Sequence, residues 1–115
     1  MSNVLHLPPR PDAPIACDMS TAVDTPDERL AEYGRLFATA LVRRERRDHA
    51  VAFVFRARPG TREHVEDLAR REAACCPFMG YRVETVDDEV RFTFTNPAGR
   101  AEIDAMLDAV YALPD

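Results

Sequence analysis

Ala50-Val51-Ala52-Phe53-Val54-Phe55-Arg56 sets Val51, Phe53 and Phe55 on one side and is followed by Pro59-Gly60. Strict alternation of this kind predicts a half-buried strand, and the Pro-Gly pair predicts a turn after it. From Thr61 the period changes. Val65, Leu68, Ala69 and Glu72 share one side of a helix that Thr61 caps. Pro77 must stop this helix close to Cys76, because the residue before a proline is pushed out of the helical region. A strand that hands over to a helix on so short a turn commits the chain to a mixed fold.

Working outward toward the C-terminus, residues 81–86 and 89–95 read as two further strands around a tight acidic turn at Asp87-Asp88. Val90, Phe92 and Phe94 give the second of them a clean alternating face. Asn96-Pro97 then opens a last helix with Ile103, Met106, Leu107, Val110 and Tyr111 inward. Toward the N-terminus, Thr25, Pro26 and Glu28 make a T-x-x-E capping box with proline in the first turn. Leu30, Tyr33, Leu36, Phe37, Ala40 and Leu41 recur at helical spacing behind it, and this helix is expected to end around Arg44 to Arg47. The predicted order is α-β-α-β-β-α: an α+β fold with a small three-stranded sheet and helices packed on it. The β-α-β unit should cross over right-handedly. Residues 1–24 read as an extended, proline-rich arm carrying Cys17, and residues 25–115 as a single α+β domain. Three strands leave open edges, through which, or through the long first helix, a homodimer could form.

Composition narrows the chemistry. A chain of 115 residues suits one domain, and 46% hydrophobic residues supply an ordinary core. All 15 basic residues are arginine; without lysine there is no Schiff base and no phosphate-loop lysine. Four scattered glycines make no nucleotide-binding loop. The net charge of −5 argues against a nucleic-acid partner. The one basic run, Arg43-Arg44-Glu45-Arg46-Arg47, fits the last turns of the first helix, where cations complement the dipole. Residues 1–14 hold four prolines and no apolar run, so no signal peptide or membrane span is expected there. A cytoplasmic location with reduced thiols follows as an expectation, and an odd count of three cysteines argues against a disulfide framework.

The chemistry that remains is thiol chemistry. Cys75 and Cys76 are adjacent, so within a helix they would point about 100° apart; at the helix end, with Pro77 next, both sulfurs can face one pocket. Glu72 lies three and four residues before them, on the same side of the helix, where a carboxylate on an apolar stripe needs a partner. A helix C-terminus raises a thiol pKa, which disfavours a bare nucleophile, whereas a bound soft cation deprotonates its ligands outright. Cys17, nearly sixty residues away on the arm, could close the site. Three thiolates, or two with Glu72 or Asp18, would suit Hg(II), As(III), Cu(I) or, with a fourth ligand, Zn(II). Phe78 and Tyr81 are expected to wall the pocket, while His6, His49 and His64 are expected at the surface.

Glu72-x-x-Cys75-Cys76-Pro77-Phe78, followed by a strand and the hairpin to Asn96-Pro97, resembles a group of small bacterial proteins that share an E-x-x-C-C-P-F segment. The similarity covers about residues 50–112. It implies heavy-metal handling in mercury or arsenic resistance. The expectation is a soft-metal or metalloid binding protein with Cys75 and Cys76 as ligands, Cys17 closing the site and Glu72 as partner or weak ligand. The competing reading is a small thiol-dependent enzyme, cleaving an organometal carbon–metal bond with Glu72 or Asp18 as proton source, or running thiol redox chemistry. A third is an interaction module whose cysteines are merely buried.

Overall fold

The computed structural model describes residues 4–114. Eight elements follow one another: β1 (Val4–Leu7), α1 (Pro26–Ala40), β2 (Leu41–Arg47), β3 (Ala50–Arg56), α2 (Thr61–Cys75), β4 (Gly80–Val86), β5 (Glu89–Thr95) and α3 (Ala101–Tyr111). They build one five-stranded sheet in the order β1-β4-β5-β3-β2, antiparallel at every junction. The class is α+β, but the expected three-stranded sheet is wrong: it has two more strands, one on each edge.

One added strand pairs far along the chain and the other with its immediate neighbour. β1 is part of the arm and pairs with β4, Leu5 opposite Val83 and Leu7 opposite Tyr81. β2 is the arginine run, which the sequence places at the end of the first helix. Instead α1 stops at Ala40, and Leu41 turns directly into extended backbone (φ −66°, ψ 128°). The run Leu41–Arg47 then pairs with β3 through a two-residue turn, Asp48-His49, in which His49 adopts φ 63°. A turn without glycine or asparagine carries little sequence signal, and an arginine stripe satisfies a helix end as well as a strand. Two smaller corrections concern helix starts. Gly60, at φ 84°, holds the N-cap position of α2, with Thr61 as the first helical residue. α3 begins at Ala101, after a turn in which the Asn96 side chain bonds the Arg100 carbonyl and the Asp104 carboxylate.

β5 is inserted between β3 and β4, so the two strands joined by α2 run the same way without touching. The core lies on one side of the sheet. Val51, Phe53 and Phe55 of β3, Val90, Phe92 and Phe94 of β5 and Tyr81 and Val83 of β4 meet Tyr33, Leu36 and Phe37 of α1, Val65, Leu68 and Ala69 of α2, and Ile103 and Leu107 of α3. Phe53 is central: its ring packs 4.9 Å from Phe37 and edge-on to Phe94 at 5.9 Å. Arg44, opposite Phe53 in the register, lies over the Phe37 ring at 5.0 Å.

The other side of the sheet is ionic. Arg43 bridges Glu45 and Glu89, and Arg91 bonds Glu45 at 2.7 Å. The stems of these long side chains lie on the side where Ala52 and Val54 are buried, consistent with charged residues covering apolar surface. Edge strand β2 therefore carries charge along its length, which discourages pairing with a further strand.

The two sides should respond differently to truncation. Phe53→Ala is expected to cost about 3–5 kcal/mol, the range for emptying an aromatic core site. Arg43→Ala is expected to cost no more than about 1 kcal/mol, as for exposed ion pairs. Urea unfolding of the two variants measures both, and equal losses would contradict this division of the sheet.

Candidate functional site

The arm is tied down across the C-terminal end of α2. The Asp18 amide donates to the Cys75 carbonyl at 2.9 Å, and the Arg10 amide to the Pro77 carbonyl at 2.8 Å. The Tyr81 hydroxyl donates to the Cys76 carbonyl at 2.9 Å. A helix leaves its last carbonyls without partners, and here the arm and β4 supply donors to them. The Cys76 amide still donates to the Glu72 carbonyl, after which Cys76 leaves the helix at φ −127° before Pro77.

This seam brings Cys17 to the pair. Cys17 and Cys76 form a disulfide across a separation of 59 residues, with their Cα atoms 4.5 Å apart. Closing a loop of that length stabilises the fold by about 4 kcal/mol in the chain-entropy account. The expectation of reduced thiols is corrected here: an odd cysteine count does not prevent two of the three from pairing. Cys75 keeps its thiol and is buried. Its Sγ lies 3.5 Å from the Cys76 Sγ and donates weakly to the Glu72 carbonyl at 3.6 Å. All three sulfurs thus form one group, Cys17 on an exposed residue and the other two on buried ones.

Glu72 has a partner that the sequence reading missed. Arg29 of α1 is 4% exposed and stands on the helical stripe where Leu30 was expected; Leu30 is itself 45% exposed. The Arg29 guanidinium donates to Glu72 Oε1 at 2.6 Å, to Cys75 Sγ at 3.2 Å and to both Asp24 oxygens at 2.7 and 2.9 Å. The signal was available. Arg29, Tyr33, Leu36, Phe37 and Ala40 keep helical spacing as well as a stripe begun at Leu30, but an arginine on an apolar stripe makes sense only opposite an acid.

A second arginine extends the network. Arg71 joins Asp24 at 3.0 Å to Glu32 at 2.7 Å, and His64 Nε2 meets Glu32 at 2.6 Å. A chain of polar contacts therefore runs from the Cys75 thiol through Arg29, Asp24, Arg71 and Glu32 to His64, fixing α1 against α2. His49 pairs with Asp104 away from this site. His6 is exposed on β1. Asp18 caps its own turn through Ser20 and lies beside the cysteines without meeting a sulfur among the described hydrogen bonds.

Charge in the site is set by burial and pairing. Burial pushes the Cys75 thiol above its ordinary value, the Glu72 charge adds to this, and the Arg29 hydrogen bond opposes it. Burial also raises the Glu72 carboxyl, against the pull of Arg29. The Arg29 hydrogen bond holds Asp24 down at about 2, and Arg71 holds Glu32 at about 2.

Over the sulfurs lies an open groove of about 250 Å³. Met19, Pro26, Leu30, Val110 and Leu113 form its apolar walls, with the three cysteines, Arg29, Glu72 and Tyr33 also lining it. Phe78 and Tyr81, expected as walls, belong to the core instead. The Tyr33 hydroxyl is buried without a hydrogen-bond partner among the described residues, an arrangement that costs about 1–3 kcal/mol. With Cys17 and Cys76 bonded to each other, no group of three or more His, Cys, Asp or Glu among the described residues is arranged to hold a metal ion. No described helix is long and apolar enough to cross a membrane. No family model matches the chain, and no match was found among curated proteins or solved structures.

Two predictions follow from the polar chain. Asp24 and Glu32 bind protons more weakly when folded than at their ordinary 3.8 and 4.5. The stability they contribute is thus present above about pH 4.5 and lost as pH falls toward 2. Glu72, shifted upward, acts oppositely: its contribution is present below its unfolded value and lost as pH rises through the folded one. Thermal melting from pH 6 to 2 should show a shallower acid loss in the Asp24→Asn, Glu32→Gln variant than in wild type, and an unchanged slope would refute the assignment. Arg29→Met should cost about 3–5 kcal/mol in chemical denaturation, because it leaves Asp24 and Glu72 without their shared cation.

Proposed function

We propose that the reduced protein captures a soft metal or metalloid ion through Cys17, Cys75 and Cys76, and that As(III) fits the site best. The observation that carries this reading is the gathering of three sulfurs at one point by two remote segments, Cys75 Sγ at 3.5 Å from the Cys76 Sγ that bonds Cys17. A dithiol reductant opens the Cys17–Cys76 bond by exchange, giving up two electrons and two protons and becoming a disulfide, and leaves three thiols on this chain. Condensation with arsenous acid then replaces three oxygen ligands by three sulfurs and releases three waters, with no change of oxidation state.

Geometry and charge both select among ions. Two thiolates on a tetrahedral ion with bonds of about 2.3 Å stand about 3.8 Å apart. The Cys75–Cys76 spacing is close to that bite, and it suits pyramidal As(III) far better than linear Hg(II). Arg29 already faces two acids, Asp24 and Glu72. An anionic complex would add uncompensated charge beside Glu72, whereas an As(III) trithiolate is neutral. Glu72 serves here by holding Arg29 against Cys75 and not as a ligand, since Arg29 occupies its Oε1.

The contact between the Cys75 thiol and the disulfide also supports a second reading, thiol–disulfide exchange. Against it stands the raised Cys75 pKa at a helix C-terminus, which keeps the attacking thiolate scarce.

Native mass spectrometry of phosphine-reduced protein, with circular dichroism to show that it stays folded, tests the proposal. One As(III) per chain is expected, with affinity falling at least about tenfold in each of Cys17→Ser, Cys75→Ser and Cys76→Ser, and no capture by the oxidised protein. A folded, reduced chain that binds no As(III), or binds it equally well without Cys17, would overturn the proposal. Turnover of a disulfide substrate without As(III) capture would establish the second reading.

A further inference from the structure

The three sulfurs lie open to one side, where more than the captured ion can be accommodated. They form the floor of a groove whose walls are Met19 from the segment leading into α1, Pro26 and Leu30 of α1, Val110 of α3 and Leu113 just beyond it. Leu30 is an exposed large apolar side chain beside the buried Arg29 and Tyr33 of α1, and Leu113 and Val110 are only partly covered. Beside these walls is a second, independent feature. Tyr33, 4% exposed, lines the same groove with a hydroxyl that lacks any partner among the described residues.

We infer that the groove receives the organic substituent of a monosubstituted arsenical, an aryl- or small alkyl-arsenic(III) compound, while sulfurs at its floor take the arsenic. This rests on the soft-ion reading of the site and names its substrate class. An R–As(III) centre has two valences to exchange, and two neighbouring sulfurs satisfy it. An oxide R–As=O condenses with two thiols to R–As(S)₂: two As–S bonds form, the As–O bonds break, and the two thiol protons leave with the oxygen as one water. No electrons move in this step; the only redox event is the prior reduction of Cys17–Cys76. Cys75 and Cys76 are the pair already at bite distance, and Cys17 becomes free to leave or to shield the product. The substituent then lies on Leu30, Val110 and Leu113, removing their apolar surface from water. An open groove of about 250 Å³ has room for an aromatic ring, since a cavity of about 150 Å³ already holds benzene. Arg29 and Glu72 stay paired beneath it, so the neutral dithiolate meets no unbalanced charge.

The test compares two probes on phosphine-reduced, desalted protein: arsenite and phenylarsine oxide, each titrated against wild type, Leu30→Glu and Leu113→Ser. Both substitutions lie at positions that are exposed or partly covered, and circular dichroism checks that each variant folds. Phenylarsine oxide is expected to bind wild type more tightly than either variant by about tenfold, the scale of one modest apolar contact, while arsenite affinity stays the same in all three. Equal phenylarsine oxide affinity across the three proteins, with arsenite still bound, would overturn the groove's role and leave ion capture standing. Failure of wild type to bind either probe would remove the ion-capture reading itself. Cys75→Ser and Cys76→Ser should each abolish phenylarsine oxide capture, whereas Cys17→Ser should retain it; loss in Cys17→Ser alone would mean that the arsenic is held by a different pair.

Discussion

The Arg29 guanidinium is the constraint on which the site depends. A cation buried to this degree is tolerable only where acids and hydrogen-bond acceptors surround it. Asp24, Glu72 and the Cys75 sulfur do so, from the loop before α1, from α2 and from the end of α2 respectively. Because each partner needs Arg29 in one position, the guanidinium fixes how α1 lies on α2. It also fixes which way Cys75 points. Arg71 and Glu32 repeat the device one layer out, where more solvent weakens each pair.

The arm completes what Arg29 begins. Without donors from residues 10–18, the Cys75 carbonyl at the end of α2 and the Pro77 carbonyl just beyond it would lose their partners. The same backbone contacts that satisfy them lay Cys17 on Cys76. Structure and chemistry are coupled at this point: the element that finishes the helix also delivers the third sulfur. β1 anchors the arm's other end in the sheet, so the position of Cys17 is set from both sides.

Burial makes Cys75 a poor nucleophile, which is the basis for proposing capture over attack. The dipole at a helix C-terminus, the apolar surroundings and the Glu72 charge all favour the protonated Cys75 thiol. An ion that replaces the proton avoids all three penalties, and it does so most easily when the resulting complex is neutral. The groove above adds apolar surface that an unsubstituted ion would not use. In the proposed reading, the floor of the site takes the ion and its walls take an organic substituent.

By itself the sequence determined the central strands, the three helices in outline and the placement of Cys75, Cys76 and Glu72 together at the end of the second helix. Alternation in β3 and β5, the capping box at Thr25 and the Pro77 stop are local signals, complete within a few residues. Only the tertiary structure decided the two edge strands: the four residues of β1 pair with a strand more than seventy residues away, and the arginine run of β2 joins β3 through a turn without a sequence signal. It alone supplied Arg29 as the partner of Glu72, since helical spacing admitted a stripe through either Arg29 or Leu30. It also decided the pairing of Cys17 with Cys76. Fifty-nine residues separate them, and only the hydrogen bonds of the folded arm bring their Cα atoms within 4.5 Å.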